Sequence, residues 1–261
     1  MVKCCAIALQ KNSATLVTNK KNFFSVELRS PDALKTWVKK NQLSRQWAVV
    51  ILGPTDYQLL LSTKPLVADT EIVHAIAQQE HRKFSLPRDQ LVIDYVDRPM
   101  LLEDKSIYVV AVVKQALMEI YQQLRQTQLP PFKITVPEFM YAHYVQRYYP
   151  TEKMVIWVNY FSETTHGMAF YQGELIATLK LPTLAEKMLS IDAVEPLHQF
   201  YTGYIQSFAA TPLWLIHGLQ HIEPEVHAAI TGKMTLLPVI ENSGNQAAAQ
   251  HAYYAVLAYA S

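Results

Sequence analysis

Apolar residues in this chain come in short blocks, such as residues 48–52 (AVVIL) and 107–113 (IYVVAVV), rich in Val and Ile. The first is closed by Gly53-Pro54 and the second by Lys114. Neither approaches the ~20 apolar residues that a membrane-spanning helix needs. A block of this length with no polar alternation reads as a strand buried on both faces. Such strands need helices on either side, so the chain is expected to build a layered α/β protein.

The rest of the sequence fits that expectation. Residues 4–9, 14–17 and 24–28 read as three opening strands, and Ser30-Pro31 as the start of a helix, with Ser30 as N-cap and Pro31 at the first helical position. After the 47–52 strand comes a strand-helix-strand-strand-helix unit. It has strands at 57–62, 91–96 and 107–113, a helix capped by Asp69 and running to Lys83, and a helix at 115–125. Leu117, Ile120, Tyr121 and Leu124 give that last helix an i, i+3, i+4, i+7 face. Pro130-Pro131 closes the unit. A short strand at 134–136 and a Tyr-rich helix from Pro137 to Tyr148 follow.

A second β-rich opening comes at 154–158, 167–171 and 174–179, the last two strands turning at Gln172-Gly173. Helix 194–208, strand 213–217, helix 224–230, strand 234–238 and an Ala-rich helix 246–259 complete the chain. Two halves therefore open on strands and continue with alternating helices and strands.

Charge narrows the function classes. Lys plus Arg is 23 against 22 for Asp plus Glu, which gives no overall electrostatic footprint for nucleic acid or an anionic surface. The only cysteines, Cys4 and Cys5, are adjacent, so on a strand they point to opposite faces and do not bridge. No secretory h-region precedes them, and a reducing compartment is expected.

Motifs that would announce chemistry are missing. There is no G-x-S-x-G, no G-x-G-x-x-G and no P-loop; Gly232-Lys233-Met234 lacks both the upstream glycine and the hydroxyl. His217 and His221 have zinc-like spacing, but Gly218 breaks the element between them and a polar loop is the simpler reading. Tyr141, His143, Tyr144, Arg147, Tyr148 and Tyr149 crowd one helix, which suits helix packing with a partly exposed interface better than base stacking. Asp94, Asp97, Glu103 and Asp104 are interleaved with Arg98 and Lys105, as in a solvated loop. No catalytic residue and no metal ligand emerges.

One stretch resembles a known family. Residues 48–129 carry Phe84, Pro87 and Asp94-Tyr95, then the strand end Ala111-Val112-Val113-Lys114 before a helix. This resembles the PilM family of type IV pilus assembly proteins and its relatives, MshI of mannose-sensitive pili and the cytoplasmic part of GspL of type II secretion. The segment Trp157-Val158-Asn159-Tyr160-Phe161-Ser162-Glu163-Thr164-Thr165 and the closing Tyr253-Tyr254-Ala255-Val256-Leu257-Ala258 extend the resemblance over most of the chain.

The resemblance implies an actin-like, FtsA/PilM-type α/β fold of two lobes with a small inserted α+β subdomain. The first lobe would be residues 1–54 and 130–153, the insert 55–129 and the second lobe 154–261. It also implies a nucleotide cleft, and here the sequence departs. Nucleotide-binding members begin each phosphate loop with Asp-x-Gly. The first loop here is Leu9-Gln10-Lys11-Asn12-Ser13; in the second, Asn159 stands for Asp and Phe161 for Gly. Asn159, Ser162, Thr164, Thr165 and Gly218 would line what remains of the cleft. The expected function is a non-catalytic cytoplasmic scaffold, without cofactor, peripheral at the inner membrane. It would bind the cytoplasmic tail of a PilN-like protein and contact the secretion ATPase, with a second copy of the chain as a further candidate partner. The alternative is a weak ATPase using Mg-ATP, with the hydroxyls of Ser162, Thr164 and Thr165 replacing glycine amides.

Overall fold

The computed structural model describes residues 4–10, 13–18, 23–27, 31–43, 46–53, 55–84, 86–97, 106–160, 164–182, 188–189, 191–219, 221–230, 232–237 and 246–259. Contacts divide the chain into two units, Met1–Pro137 with His251–Ser261, and Glu138–Gln250. The proposed N-cap, Ser30, lies outside the described residues.

In the first unit, β1 (Cys4–Gln10), β2 (Ser13–Thr18) and β3 (Phe23–Glu27) form an antiparallel meander. β4 (Trp47–Ile51) and β8 (Pro131–Thr135) then add in parallel, giving the order β3-β2-β1-β4-β8. The crossover helix α1 (Pro31–Lys40) and the later α3 (Lys114–Gln126) supply Leu34, Val38 and Leu124 to a core with Cys5, Ile7, Ala48 and Val50. Both helices stop in the same way. Leu43 N–H donates to the Val38 carbonyl at 3.0 Å, and Leu129 N–H to the Leu124 carbonyl at 3.1 Å. The intervening Gln42 and Gln128 take positive φ, 55° and 60°, the six-to-one closure that satisfies carbonyls at a helix end. The face expected for α3 is only partly used. Leu124 is buried and Ile120 packs beside it, but Tyr121 is 50% exposed, because the core meets α3 along a narrow stripe through Ile120 and Leu124.

The insert is a three-stranded antiparallel sheet, β5 (Tyr57–Thr63), β7 (Ser106–Val113) and β6 (Leu91–Asp97), with β7 central. Its helix α2 (Ile72–Gln79) sets Ile72 and Ile76 on Ile107 and Val109. α2 is shorter than the sequence suggested at both ends. Its N-cap is Glu71, not Asp69, since a turn with Glu71 N–H on the Ala68 carbonyl precedes it. It stops before Glu80, whose side chain turns inward to accept a 2.5 Å hydrogen bond from Ser62 Oγ.

Glu80 is 3% exposed, and Lys83 Nζ lies 2.6 Å from its other oxygen. Burial works to raise its pKa, but the hydrogen bonds from Lys83 and Ser62 prevail and hold it below the ordinary glutamate value. A lowered carboxylate pKa contributes stability above the unfolded pKa that is lost as pH falls through the folded one. Glu80→Ala is expected to destabilise the insert by about 1–3 kcal/mol by leaving Ser62 buried without its acceptor. Hydrogen exchange of the β5 and β7 amides measures this directly.

The second unit repeats the first. β9 (Met154–Tyr160), β10 (Thr164–Tyr171) and β11 (Glu174–Pro182) form an antiparallel meander, and β13 (Leu213–His217) and β15 (Lys233–Leu236) add in parallel, in the order β11-β10-β9-β13-β15. Strand for strand this is the order and direction of the first sheet. The β10–β11 turn at Gln172-Gly173 has φ of 50° and 81°, both positive as a two-residue hairpin requires. Two short strands unforeseen from sequence, β12 (Met188–Leu189) and β14 (His221–Ile222), pair in parallel.

Every residue of β9 and β13 is buried, so the sheet is covered on both faces. α4 (Pro137–Tyr148) covers one, with Tyr141 and Tyr144 against Trp157 at 4.6 and 5.5 Å between ring centres. α5 (Ile191–Phe208) covers the other, where Gly167 leaves room for Leu197 and Tyr201. That packing places all of α4 after Pro137 in the second unit, whereas the sequence division kept it in the first lobe. α6 (Pro224–Ala229) and α7 (Gln246–Tyr259) complete the chain, and α7 passes from the second unit to the first after Gln250.

Candidate functional site

Directly opposed residues on paired strands share a face. Asn159 on β9 is opposite His166 on β10 and His217 on β13, and His166 is opposite Lys180 on β11. A polar row, Lys180–His166–Asn159–His217, therefore crosses four strands at the end of the sheet. Asn159, His166 and His217 in it are buried.

Two helix residues with no exposed surface hold the row, one at Asn159 and one at the Lys180 end. From α7, Gln250 Nε2 donates to Asn159 Oδ1. From α4, Glu138 Oε1 lies 3.4 Å from His166 Nε2 and 3.6 Å from Lys180 Nζ. Trp157, two residues before Asn159 and on the same face, donates its indole N–H to the same Asn159 Oδ1 at 2.7 Å. The Asn159 carbonyl oxygen thus accepts two hydrogen bonds, its full capacity.

His166 is neutral. Burial, together with the charge of Lys180, pushes its pKa down to about 3. Its Nε2 is 2.9 Å from Thr178 Oγ1, whose hydroxyl donates to the Gly167 carbonyl at 3.3 Å. With that proton committed, the Thr178 oxygen is left as an acceptor, which favours the tautomer with the hydrogen on His166 Nε2. The contact with Glu138 is therefore one between a carboxylate and a neutral imidazole, and the positive charge near Glu138 belongs to Lys180.

No family model matches the chain, and no curated protein matches it by sequence. Solved structures do match. The chain is similar to a PilM-PilN type IV pilus biogenesis complex, with a TM-score of 0.61 and 15% identity over 98% of both chains. It is similar to the cytoplasmic domain of EpsL, an inner membrane component of the type II secretion system of Vibrio cholerae. There the TM-score is 0.57 and the identity 10%, over 96% of this chain and 94% of that one. A Bacteroides thetaiotaomicron protein with an actin-like ATPase fold and unknown function matches at 0.52 and 9% identity, over 96% and 95%. The fold is actin-like. The repeated β-meander with two parallel additions in each unit is the part of the structure that carries this.

An actin-like fold implies a nucleotide with a metal ion, and the residues present do not fit one. Asn159, at the position where the resemblance implies an aspartate, carries no charge. Its single acceptor oxygen is consumed by Trp157 and Gln250. Thr164 and Thr165 are consecutive on β10 and so point to opposite faces of the sheet, which keeps their hydroxyls from converging on one phosphate. Thr165 is 3% exposed. Ser162 and Phe161 lie outside the described residues, as do Lys11 and Asn12 of the first loop.

Gly218 has φ +95°, and a Cβ there would collide with the Tyr160 carbonyl oxygen. Its freedom is thus used on a close backbone approach between the ends of β13 and β9. Gly218→Ala is expected to cost about 1–3 kcal/mol from the strained φ alone, measured as a lower urea midpoint.

Other sequence candidates resolve into structure. His217 is inside β13 and His221 on β14, and among the described residues no group of three His, Cys, Asp or Glu could hold a metal. In the Tyr-rich helix, Tyr141 and Tyr144 pack on Trp157, while Tyr148 stacks on Tyr144 at 4.5 Å with 44% of its surface exposed. Asp97 is paired with Lys64 at 2.8 Å, and Asp94 is exposed on β6; Glu103 and Asp104 lie outside the described residues. Sequence reasoning missed Glu138, His166 and Gln250. Nothing local marks them, since a Glu after a helix-opening Pro and a Gln within an Ala-rich helix are ordinary surface residues until the sheet places them.

Proposed function

We propose that the chain is a non-catalytic cytoplasmic scaffold of an inner-membrane assembly platform, of the kind that builds type IV pili, including mannose-sensitive pili, or runs type II secretion. It belongs with the PilM, MshI and GspL proteins. Two full-length structural likenesses, to a PilM-PilN complex and to the cytoplasmic domain of EpsL, support that placement. The observation that supports a non-catalytic reading is the uncharged Asn159, whose only acceptor oxygen is taken up by Trp157 and Gln250.

The partner is the short cytoplasmic tail of a PilN-like membrane protein, bound by the actin-like body, with the secretion ATPase as a second contact. No helix among the described residues is long and apolar enough to cross a membrane. In this proposal the described body lies peripheral to the inner membrane, where it meets the partner's tail. Homodimerisation is a further arrangement that analytical ultracentrifugation decides.

Isothermal titration tests both halves of the proposal. A synthetic peptide of the PilN-like tail from the same source is expected to bind, and Mg-ATP is expected to give no heat. Micromolar ATP binding would overturn the non-catalytic reading and put the weak ATPase first. Absence of peptide binding would remove the scaffold role.

A further inference from the structure

The balanced charge of the sequence is not evenly spread in the first unit. β1, β4 and β8 run parallel, with Cys4 opposite Trp47 and Ala48 opposite Pro131, so all three strands start at one end of the sheet. α1 and α3 finish at that end, because β4 and β8 follow them after short turns. Lys39 and Lys40 occupy the last turn of α1 and Arg125 the last turn of α3. Lys133 lies on β8 with its Nζ 5.0 Å from the centre of the Tyr259 ring. All four cations are exposed.

The described acids of this unit are placed away from that end. Asp32 is in the first turn of α1, at the opposite end, and Glu27 pairs with Ser13 at the far end of the meander. Glu119 is midway along α3. The others belong to the insert, which leaves β4 from its far end.

Two large aromatics stand among these cations. Trp47 is 44% exposed and Phe132 60%. Ala48 pairs with Pro131 and Val49 with Lys133, so Phe132 is an extra residue on β8, and such a bulge turns a side chain out of the ladder. Its ring meets Trp47 at 6.1 Å and 69°, edge to face. Pro131 and the bulge also guard the edge of the sheet against strand addition, so this surface offers side chains rather than backbone.

We propose that this basic, aromatic end of the first unit is a contact surface for an anionic phospholipid bilayer. Clustered Lys and Arg are drawn to anionic headgroups, and exposed Trp and Phe gain by entering the boundary between headgroups and acyl chains. Rings that lean on each other edge to face suit that boundary better than a slot for a flat base. The inference does not depend on which protein the scaffold binds, and it gives the actin-like body a second, weaker hold on the membrane it serves.

The test is flotation of the full chain with vesicles of phosphatidylethanolamine, with and without phosphatidylglycerol, and no protein partner present. Binding is expected only with phosphatidylglycerol and is expected to weaken with added salt. Lys39→Gln with Lys40→Gln should reduce it about 25-fold, at about fivefold per cation. Phe132→Ser should reduce it about tenfold, and both changes are at exposed positions. Trp157 and Trp214 are fully buried and Trp37 is half-buried, so quenching of Trp fluorescence by brominated phosphatidylglycerol should fall sharply in Trp47→Phe and much less in Trp37→Phe. The proposal is overturned by absence of flotation, by equal flotation on neutral vesicles, or by binding that neither variant changes. It is also overturned if an RNA homopolymer binds as tightly and Phe132→Ser leaves that binding intact, since the surface would then be a general polyanion site.

Discussion

Replacing Trp157 by alanine is expected to destabilise the second unit by about 3–5 kcal/mol. The indole is fully buried on the central strand β9, under Tyr141 and Tyr144 of α4. Its removal opens a cavity beneath the helix and takes one of the two donors from Asn159 Oδ1. A loss of that size is a large share of the roughly 5–15 kcal/mol that holds a typical domain folded. Trp157→Phe separates the two contributions. It keeps most of the packing and removes only the N–H donor, so about 1–2 kcal/mol is expected, close to the value of one buried hydrogen bond. Urea titration followed by circular dichroism measures both. Equal losses in the two variants would show that the indole N–H bond to Asn159, not the packing of the ring under α4, accounts for the stability Trp157 supplies.

The second large effect is on acid stability. His166 has a folded pKa of about 3, against about 6.5 for an unfolded histidine. Its folded pKa is depressed, so the neutral ring contributes its full stability above the unfolded pKa. As pH falls below about 6.5 the unfolded chain takes up a proton that the folded chain refuses. Stability is then lost at about 1.4 kcal/mol per pH unit until the folded pKa is reached. The groups facing the ring are Glu138, Lys180 and Thr178. In His166→Asn this slope should be absent between pH 6 and pH 5, a window above the range where carboxylates such as Glu80 protonate. The observable is the urea midpoint against pH in both proteins. Parallel curves would mean that the ring protonates in the folded state, with Glu138 as its counter-ion.

Much of the fold was legible in the sequence because its signals are local. Short Val- and Ile-rich blocks set the strands, Gly53-Pro54, Pro137 and Gln172-Gly173 set breaks and turns, and the bounds of α4, β13 and α7 match those read from periodicity and capping. The two β-rich openings were visible as two halves, and the structure makes them strand-for-strand equivalents. Where the reading slipped, a distant partner had intervened. α2 ends early because Glu80 turns in to Ser62, eighteen residues away. Tyr121 is exposed because the core meets α3 only along the stripe of Ile120 and Leu124.

The candidate site divides along the same line. That Asn159 is not an aspartate, and that Phe161 is not a glycine, is a fact of the sequence and already speaks against a metal-bound nucleotide. What Asn159 does instead was decided by tertiary structure. Gln250 reaches it across 91 residues of chain, and Glu138, His166 and Lys180 meet only because α4 lies on the face that β10 and β11 share. Charge behaves likewise. The sequence determined a total near zero, while strand direction and helix ends decided that Lys39, Lys40, Arg125 and Lys133 share one end of a sheet with Trp47 and Phe132. Periodicity, capping and turn chemistry act over a few residues and can be read along the chain. Hydrogen-bond partners and charge clusters depend on which distant elements register against one another, and only the folded sheets fix that.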